Sequence, residues 1–110
     1  MIARNVTMHL KPNCAAEFTQ TFQKEIIPLL RKQKGFKDEI TFIVPGERNA
    51  VGVSFWDKQE NADAYSRETY PEVVKALGKV LDGTPQVQNL EVSNSTFHNI
   101  GVFGPLASRA

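Results

Sequence analysis

Ala50-Val51-Gly52-Val53-Ser54-Phe55-Trp56, followed at once by Asp57, sets Val51, Val53 and Phe55 on one parity and Gly52, Ser54 and Trp56 on the other. That alternation is the two-residue period of a strand whose faces meet different surroundings. Asp57, with Glu60 three positions on, makes a carboxylate version of a capping box. A helix is therefore predicted directly after the strand, carried by Ala62, Ala64 and Tyr65 and restarted at Pro71. Upstream, Pro45-Gly46-Glu47-Arg48-Asn49 is a turn, and Phe36, Ile40, Phe42 and Val44 before it keep one strand parity, so the two strands form a hairpin.

The same logic extends to both ends. Ile2, Val6, Met8 and Leu10 share a parity opposed to Ala3, Asn5, Thr7 and His9, which predicts a first strand. Asn13 is the expected N-cap of a helix in which Phe18, Phe22, Ile26, Leu29 and Leu30 recur at helical spacing as far as Gly35. Pro28 lacks the donor that a helix interior needs, so a kink or loosened turn is expected there. The second helical piece carries Val73, Val74, Leu77, Val80 and Leu81 and stops at Asp82-Gly83-Thr84-Pro85. A long, mostly polar edge strand is predicted from Gln86 to His98.

The order β-α-β-β-α-β is the split βαβ arrangement: an α+β, ferredoxin-like sandwich with a four-stranded antiparallel sheet and both helices on one face. A chain of 110 residues is one domain in size, here 1–98, with a C-terminal tail over 99–110 that Val102, Phe103 and Leu106 could dock. The sheet has apolar side chains on more than one parity, while its own helices cover one face only. If Ala3, Asn5, Thr7, His9, Gly52, Ser54 and Trp56 lie under the helices, the aliphatic parity (Ile2, Val6, Met8, Leu10, Val51, Val53, Phe55) is left for a second subunit. Seven such side chains, at about 1.5–3 kcal/mol each for full burial, are too much to leave in water. Two sheets closing face to face into a dimeric α/β barrel are the expected solution. The opposite orientation, with the aliphatic parity against the helices, would undo a pocket beside Trp56 but still allow a dimer.

Composition narrows the partners. Thirteen basic against twelve acidic residues, without a Lys/Arg cluster, argue against nucleic acid and against an anionic membrane surface. No window approaches the roughly 18 consecutive apolar residues of a spanning helix, and no signal peptide is visible. The single cysteine, Cys14, makes no internal disulfide and has no ligand spacing around it, so neither an oxidising compartment nor a metal is implied; the cytoplasm is the default.

The Ala3-Arg4-Asn5 opening strand, the first helix ending in Lys34-Gly35-Phe36, the Val53-Ser54-Phe55-Trp56-Asp57 strand end, Ala62 to Tyr65 and the Gly83-Thr84-Pro85 break together resemble the antibiotic biosynthesis monooxygenase group of the dimeric α/β-barrel superfamily. The resemblance covers residues 1–98. It implies a homodimer and a cofactor-independent oxygenase acting on a small aromatic, phenolic or quinonoid molecule held between helices and sheet. Such chemistry needs hydrogen-bond donors aimed at a developing phenolate or enolate. The resemblance carries Asn5 and Trp56 into that pocket as catalytic residues, beside the small Gly52 and Ser54. His9 is a candidate for proton transfer, and Ser54, Tyr65 and Tyr70 are candidates for substrate contact, the tyrosines flanking the break between the helical pieces. Haem-degrading relatives add a helical His; Tyr70-Pro71-Glu72-Val73-Val74 has none, so haem degradation is not expected. The competing expectation is a dimeric small-molecule-binding or stress-associated protein without chemistry of its own.

Overall fold

A computed structural model describes residues 1–46 and 48–98. The tail expected over 99–110 lies outside the described residues. The chain runs β1 (Ile2–His9), α1 (Ala15–Thr21), a π-helical turn (Phe22–Ile26), α2 (Ile27–Arg31), β2 (Phe36–Ile43), β3 (Asn49–Trp56), α3 (Gln59–Glu68), α4 (Tyr70–Leu77) and β4 (Gln86–Glu91). The strands form one antiparallel sheet in the order β2-β3-β1-β4, the ferredoxin-like α+β topology, and the sheet is not closed. The core fills the space between one sheet face and the helices: Val6, Met8, Leu10, Phe18, Ile26, Leu30, Trp56, Ala62, Tyr65, Val73, Leu77 and Val80 are all buried there. No helix of the described residues is long and apolar enough to cross a membrane.

The expected irregularity near Pro28 takes a specific form. Ile27 N–H bonds back to the Phe22 carbonyl, five residues earlier, so one π turn interrupts the helix just before the proline. Pro28 then sits in the first turn of α2, where a missing N–H costs little. The predicted caps are corrected. Asn13 has a positive φ of 61° and Cys14 is the N-cap of α1, without a side-chain cap bond. Asp57 does not cap α3; Lys58 does, in extended backbone. Asp57 instead ties the end of β3 to the start of β2, its N–H donating to the Gly35 carbonyl at 2.9 Å while its carboxylate accepts from Asn61 Nδ2 at 2.8 Å. A Cβ on Gly35, whose φ is +82°, would fall 2.3 Å from that carboxylate, so glycine is required there.

Two further expectations change. The last strand ends at Glu91 rather than His98, and all six of its residues are exposed. The sheet faces also differ from both orientations inferred from parity. The β1–β3 register pairs Arg4 with Ser54, Val6 with Gly52 and Met8 with Ala50, so the aliphatic parity of β1 lies under the helices together with the small parity of β3. Asn5 pairs with Val53 and Thr7 with Val51, which puts Asn5, Thr7 and His9 on the open face with Val51, Val53 and Phe55. Directly paired residues in an antiparallel ladder share a face, and this register joins even to even numbers. In β2 the register shifts between Phe36 and Asp38. That bulge turns Phe36, Glu39, Thr41 and Ile43 toward the helices and leaves Ile40 and Phe42 on the open face.

Candidate functional site

Between the helices and the middle of the sheet lies a cavity of about 30 Å³, room for one or two waters. Its floor is Arg4, Val6 and Met8 of β1, Gly52 and Ser54 of β3 and Glu39 of β2; its roof is Phe22 and Ile26 of the π turn, Leu30 of α2 and Tyr65, Tyr70, Val73 and Leu77 from α3 and α4. Gly52 and Ser54 leave the space, since the neighbouring positions on the same strand face carry Ala50 and the full indole of Trp56. A wider groove of about 560 Å³ runs between the first helix and β2, lined by Phe18, Gln23, Ile27, Arg31, Thr41 and Ile43 among others. Phe22 and Glu39 belong to both, so they form the wall between groove and cavity.

Trp56 is fully buried behind this cavity. Its Nε1 donates to Ser54 Oγ at 2.9 Å, and its ring packs on Tyr65 at 4.9 Å and edge-on to Phe36 at 5.7 Å. Arg4, only 3% exposed, lies over the Tyr70 ring at 4.0 Å and the Tyr65 ring at 5.3 Å, within cation–π range, and Nη2 donates to Ser66 Oγ at 3.3 Å. Tyr70 Oη is buried without a hydrogen-bond partner among the described residues. Burial pushes the Glu39 carboxyl above its ordinary range, partly offset by the hydrogen bond it accepts from Thr41 Oγ1. Burial also pushes the Tyr70 hydroxyl upward against the opposing pull of Arg4.

Tyr65 gives a measurable consequence. Burial, moderated by Arg4, pushes its hydroxyl from 10.0 up to about 12. Between those values the unfolded chain releases the proton and the folded chain keeps it, so stability present below pH 10.0 is lost as the pH rises through about 12. The Tyr65 contribution to that loss is about 2–3 kcal/mol. Tyr65→Phe should flatten the alkaline decline by that amount, as measured by urea unfolding at mildly and strongly alkaline pH; an unchanged decline would contradict the assignment.

Of the residues singled out by sequence, Ser54, Tyr65 and Tyr70 line the cavity and Trp56 backs it. Asn5 and His9 do not join them. The shared parity expected for Asn5 and Trp56 is corrected by the strand register: Asn5 lines a shallow open-face hollow of about 810 Å³ under residues 92–97, with Ala3, Val53, Phe55 and Phe97. His9 is exposed at the end of β1, with Nδ1 2.8 Å from Asn49 Oδ1. Arg4 and Glu39 were missed as site residues. Each is a charged residue on a helix-facing strand position, and for Arg4 the interruption of Ile2, Val6 and Met8 was a visible signal. Among the described residues, no cluster of three His, Cys, Asp or Glu is placed to hold a metal ion.

Solved structures with the same arrangement are informative. A monooxygenase of Streptomyces coelicolor, from the gene ActVA-Orf6 and solved with nanaomycin D bound, superposes with a TM-score of 0.73 at 14% identity, over 87% of this chain and 90% of that one. The present chain has the antibiotic biosynthesis monooxygenase fold. SnoaB, a cofactor-independent oxygenase of Streptomyces nogalater, matches this fold with a TM-score of 0.69 at 13% identity, over 86% and 95% of the two chains. A Bordetella bronchiseptica protein described as a candidate antibiotic biosynthesis monooxygenase gives 0.71 at 18% identity, over 83% and 95%. Neither a family model nor a curated protein matches the sequence.

Proposed function

We propose that the chain is a member of the antibiotic biosynthesis monooxygenase group, a homodimeric, cofactor-independent monooxygenase acting on a small phenolic or quinonoid molecule in the helix–sheet cavity. The observation that carries the proposal is the cavity itself: a partly open space walled by Tyr65 and Tyr70, holding a buried guanidinium, in a fold that also houses a cofactor-independent oxygenase. A ring needs more than 30 Å³, and the groove beyond Phe22 and Glu39, within the size range of small-molecule sites, supplies the room for it. The π turn supplies Phe22 to the wall between the two spaces.

For an anthrone-type substrate the overall change is CH₂ to C=O with O₂ as oxidant. One oxygen atom enters the product and the other leaves as water; the substrate loses four electrons and O₂ gains them. The protein's share is to hold the substrate, favour its anion and exclude water. Dimerisation is proposed through the open sheet face, where Phe42 and Leu90 are 55% and 43% exposed and Val51, Val53 and Phe55 only half-buried.

The test is oxygen consumption with dithranol as substrate. The wild-type chain should consume O₂ above the uncatalysed rate, and Tyr70→Phe should lower that rate while Asn5→Ala leaves it unchanged. Loss of activity in Asn5→Ala alone would move the site to the open-face hollow. Tight binding of dithranol without any oxygen consumption would favour the non-catalytic ligand-binding alternative.

A further inference from the structure

Glu39, Ser54 and Arg4 are consecutive partners across β2, β3 and β1, so they form one row on the helix-facing side of the sheet. The backbones of Glu39 and Arg4 are two strand spacings apart, about 10 Å. Between them stands only Ser54, whose Oγ is already taken by Trp56 Nε1. Opposite charges facing one another over such a gap ordinarily close it. Here they do not: among the described residues no carboxylate lies within ion-pair reach of Arg4, and Glu39 takes its hydrogen bond from Thr41 instead. A guanidinium that is 3% exposed and lacks a counter-charge is costly to bury. The hydroxyl of Tyr70, with its ring 4.0 Å from that guanidinium, is also buried and unpartnered. A hydroxyl without a partner and a guanidinium whose one acceptor is the neutral Ser66 Oγ thus face one cavity, with a carboxylate on its far side.

We propose that this row is an acid–anion site: Glu39 takes the proton of an acidic substrate hydroxyl, and Arg4 with Tyr70 holds the resulting phenolate oxygen over Ser54. The proposal rests on the function proposed above and narrows its substrate to molecules with an ionisable phenol or enol. In the step, the substrate O–H bond breaks, its proton goes to a Glu39 carboxylate oxygen, and the bonding pair stays on the substrate oxygen; no electron is transferred. Glu39 suits the task because it is desolvated, which raises its affinity for a proton, and because it stands where the groove meets the cavity. A substrate ring in the groove would pass its oxygen inward past Glu39 toward Arg4. The pairing also divides labour, since the base and the anion holder come from different strands and can be removed separately.

The probe is p-nitrophenol, whose phenolate has its own visible band, with p-nitrotoluene as an uncharged control of nearly equal shape. At a pH below the probe's own pKa, binding to the wild-type protein should produce the phenolate band. Arg4→Met should abolish that band and weaken p-nitrophenol binding roughly ten- to a hundredfold, as for a lost charge-assisted hydrogen bond, with p-nitrotoluene binding unaffected. Arg4→Lys, which keeps the charge, should restore the band in part. Glu39→Gln should leave the binding of phenolate already ionised in solution intact, because Arg4 and Tyr70 remain, yet lower oxygen consumption with dithranol roughly 10²- to 10⁴-fold and remove the acidic limb of its pH profile. No phenolate band in the wild-type protein, or an Arg4→Met protein that binds and ionises the probe normally, overturns the proposal, as does full turnover in Glu39→Gln. Ionised probe without oxygen consumption by any form leaves the anion site standing and removes the monooxygenase; oxygen consumption indifferent to Arg4 and Glu39 does the reverse.

Discussion

Val53→Asp should abolish the proposed dimer and leave a single folded chain. Val53 lies at the centre of the open face, between Asn5 on one neighbouring strand and Ile40 on the other. Four strands about 4.8 Å apart, three of eight residues and one of six, at about 3.4 Å per residue, give that face a projected area of roughly 500 Å² before side-chain relief is counted. A standard interface takes about 800 Å² from each partner, so this face, with the 92–97 segment that lies against part of it, is of the right order to hold a dimer. Along it run Ile40, Phe42, Val51, Val53, Phe55 and Leu90, a contiguous apolar patch with no helix over it. A carboxylate at its centre would be buried without a counter-charge on association, at a cost of about 3–5 kcal/mol, which raises the dissociation constant by at least a hundredfold. In the single chain the same carboxylate reaches water, so the fold should survive. Sedimentation at micromolar concentration measures the outcome: about twice 12.3 kDa for the wild-type chain and 12.3 kDa for the variant. A wild-type chain sedimenting at 12.3 kDa would rule the dimer out.

What could be read from sequence, and what could not, follows from which signals are local. Strand and helix order came from periodicities within single segments, and these survive folding because each element must bury one stripe of its own side chains. Which stripe of one strand joins which stripe of the next is a register, set by pairing between distant segments. Parity alone placed Asn5 with Trp56; the ladder that pairs Ile2 with Trp56 placed Arg4 there instead. The bulge between Phe36 and Asp38 acted likewise, since the even parity of Phe36, Ile40 and Phe42 hid the switch that carries Glu39 under the helices. The tyrosines were legible because the break at Thr69 between α3 and α4 is announced by Pro71, and the residues flanking such a break face the sheet below. The two charged residues were not, because a lone Arg or Glu in a strand is more often solvated than buried, and only the three-strand row gives them a common purpose.

Trp56→Ala should be the most destabilising single change in the molecule. The indole is wholly buried and bridges three elements: Phe36 at the start of β2, Ser54 on its own strand and Tyr65 on α3. Truncation removes the packing of all three and leaves a void of ring size, which costs about 3–5 kcal/mol where the surroundings cannot collapse. Collapse is resisted here because Gly35, at positive φ, fixes the β2 entry, and its carbonyl is held by Asp57 at the end of β3. Against a total stability of about 5–15 kcal/mol for a domain of this size, the loss corresponds to a drop in Tm of at least 12 °C at about 4 °C per kcal/mol. Trp56→Phe keeps most of the packing and loses the Nε1 bond to Ser54, so a smaller cost of about 1–2 kcal/mol is expected. That milder variant is the informative one for the site, because it frees Ser54 Oγ at the centre of the Glu39–Ser54–Arg4 row and lets Tyr65 tilt. Thermal unfolding followed by circular dichroism separates the two variants, and a Trp56→Ala loss below about 1 kcal/mol, far short of the usual large-to-small range, would mean that the cavity's back wall is held by the helices alone.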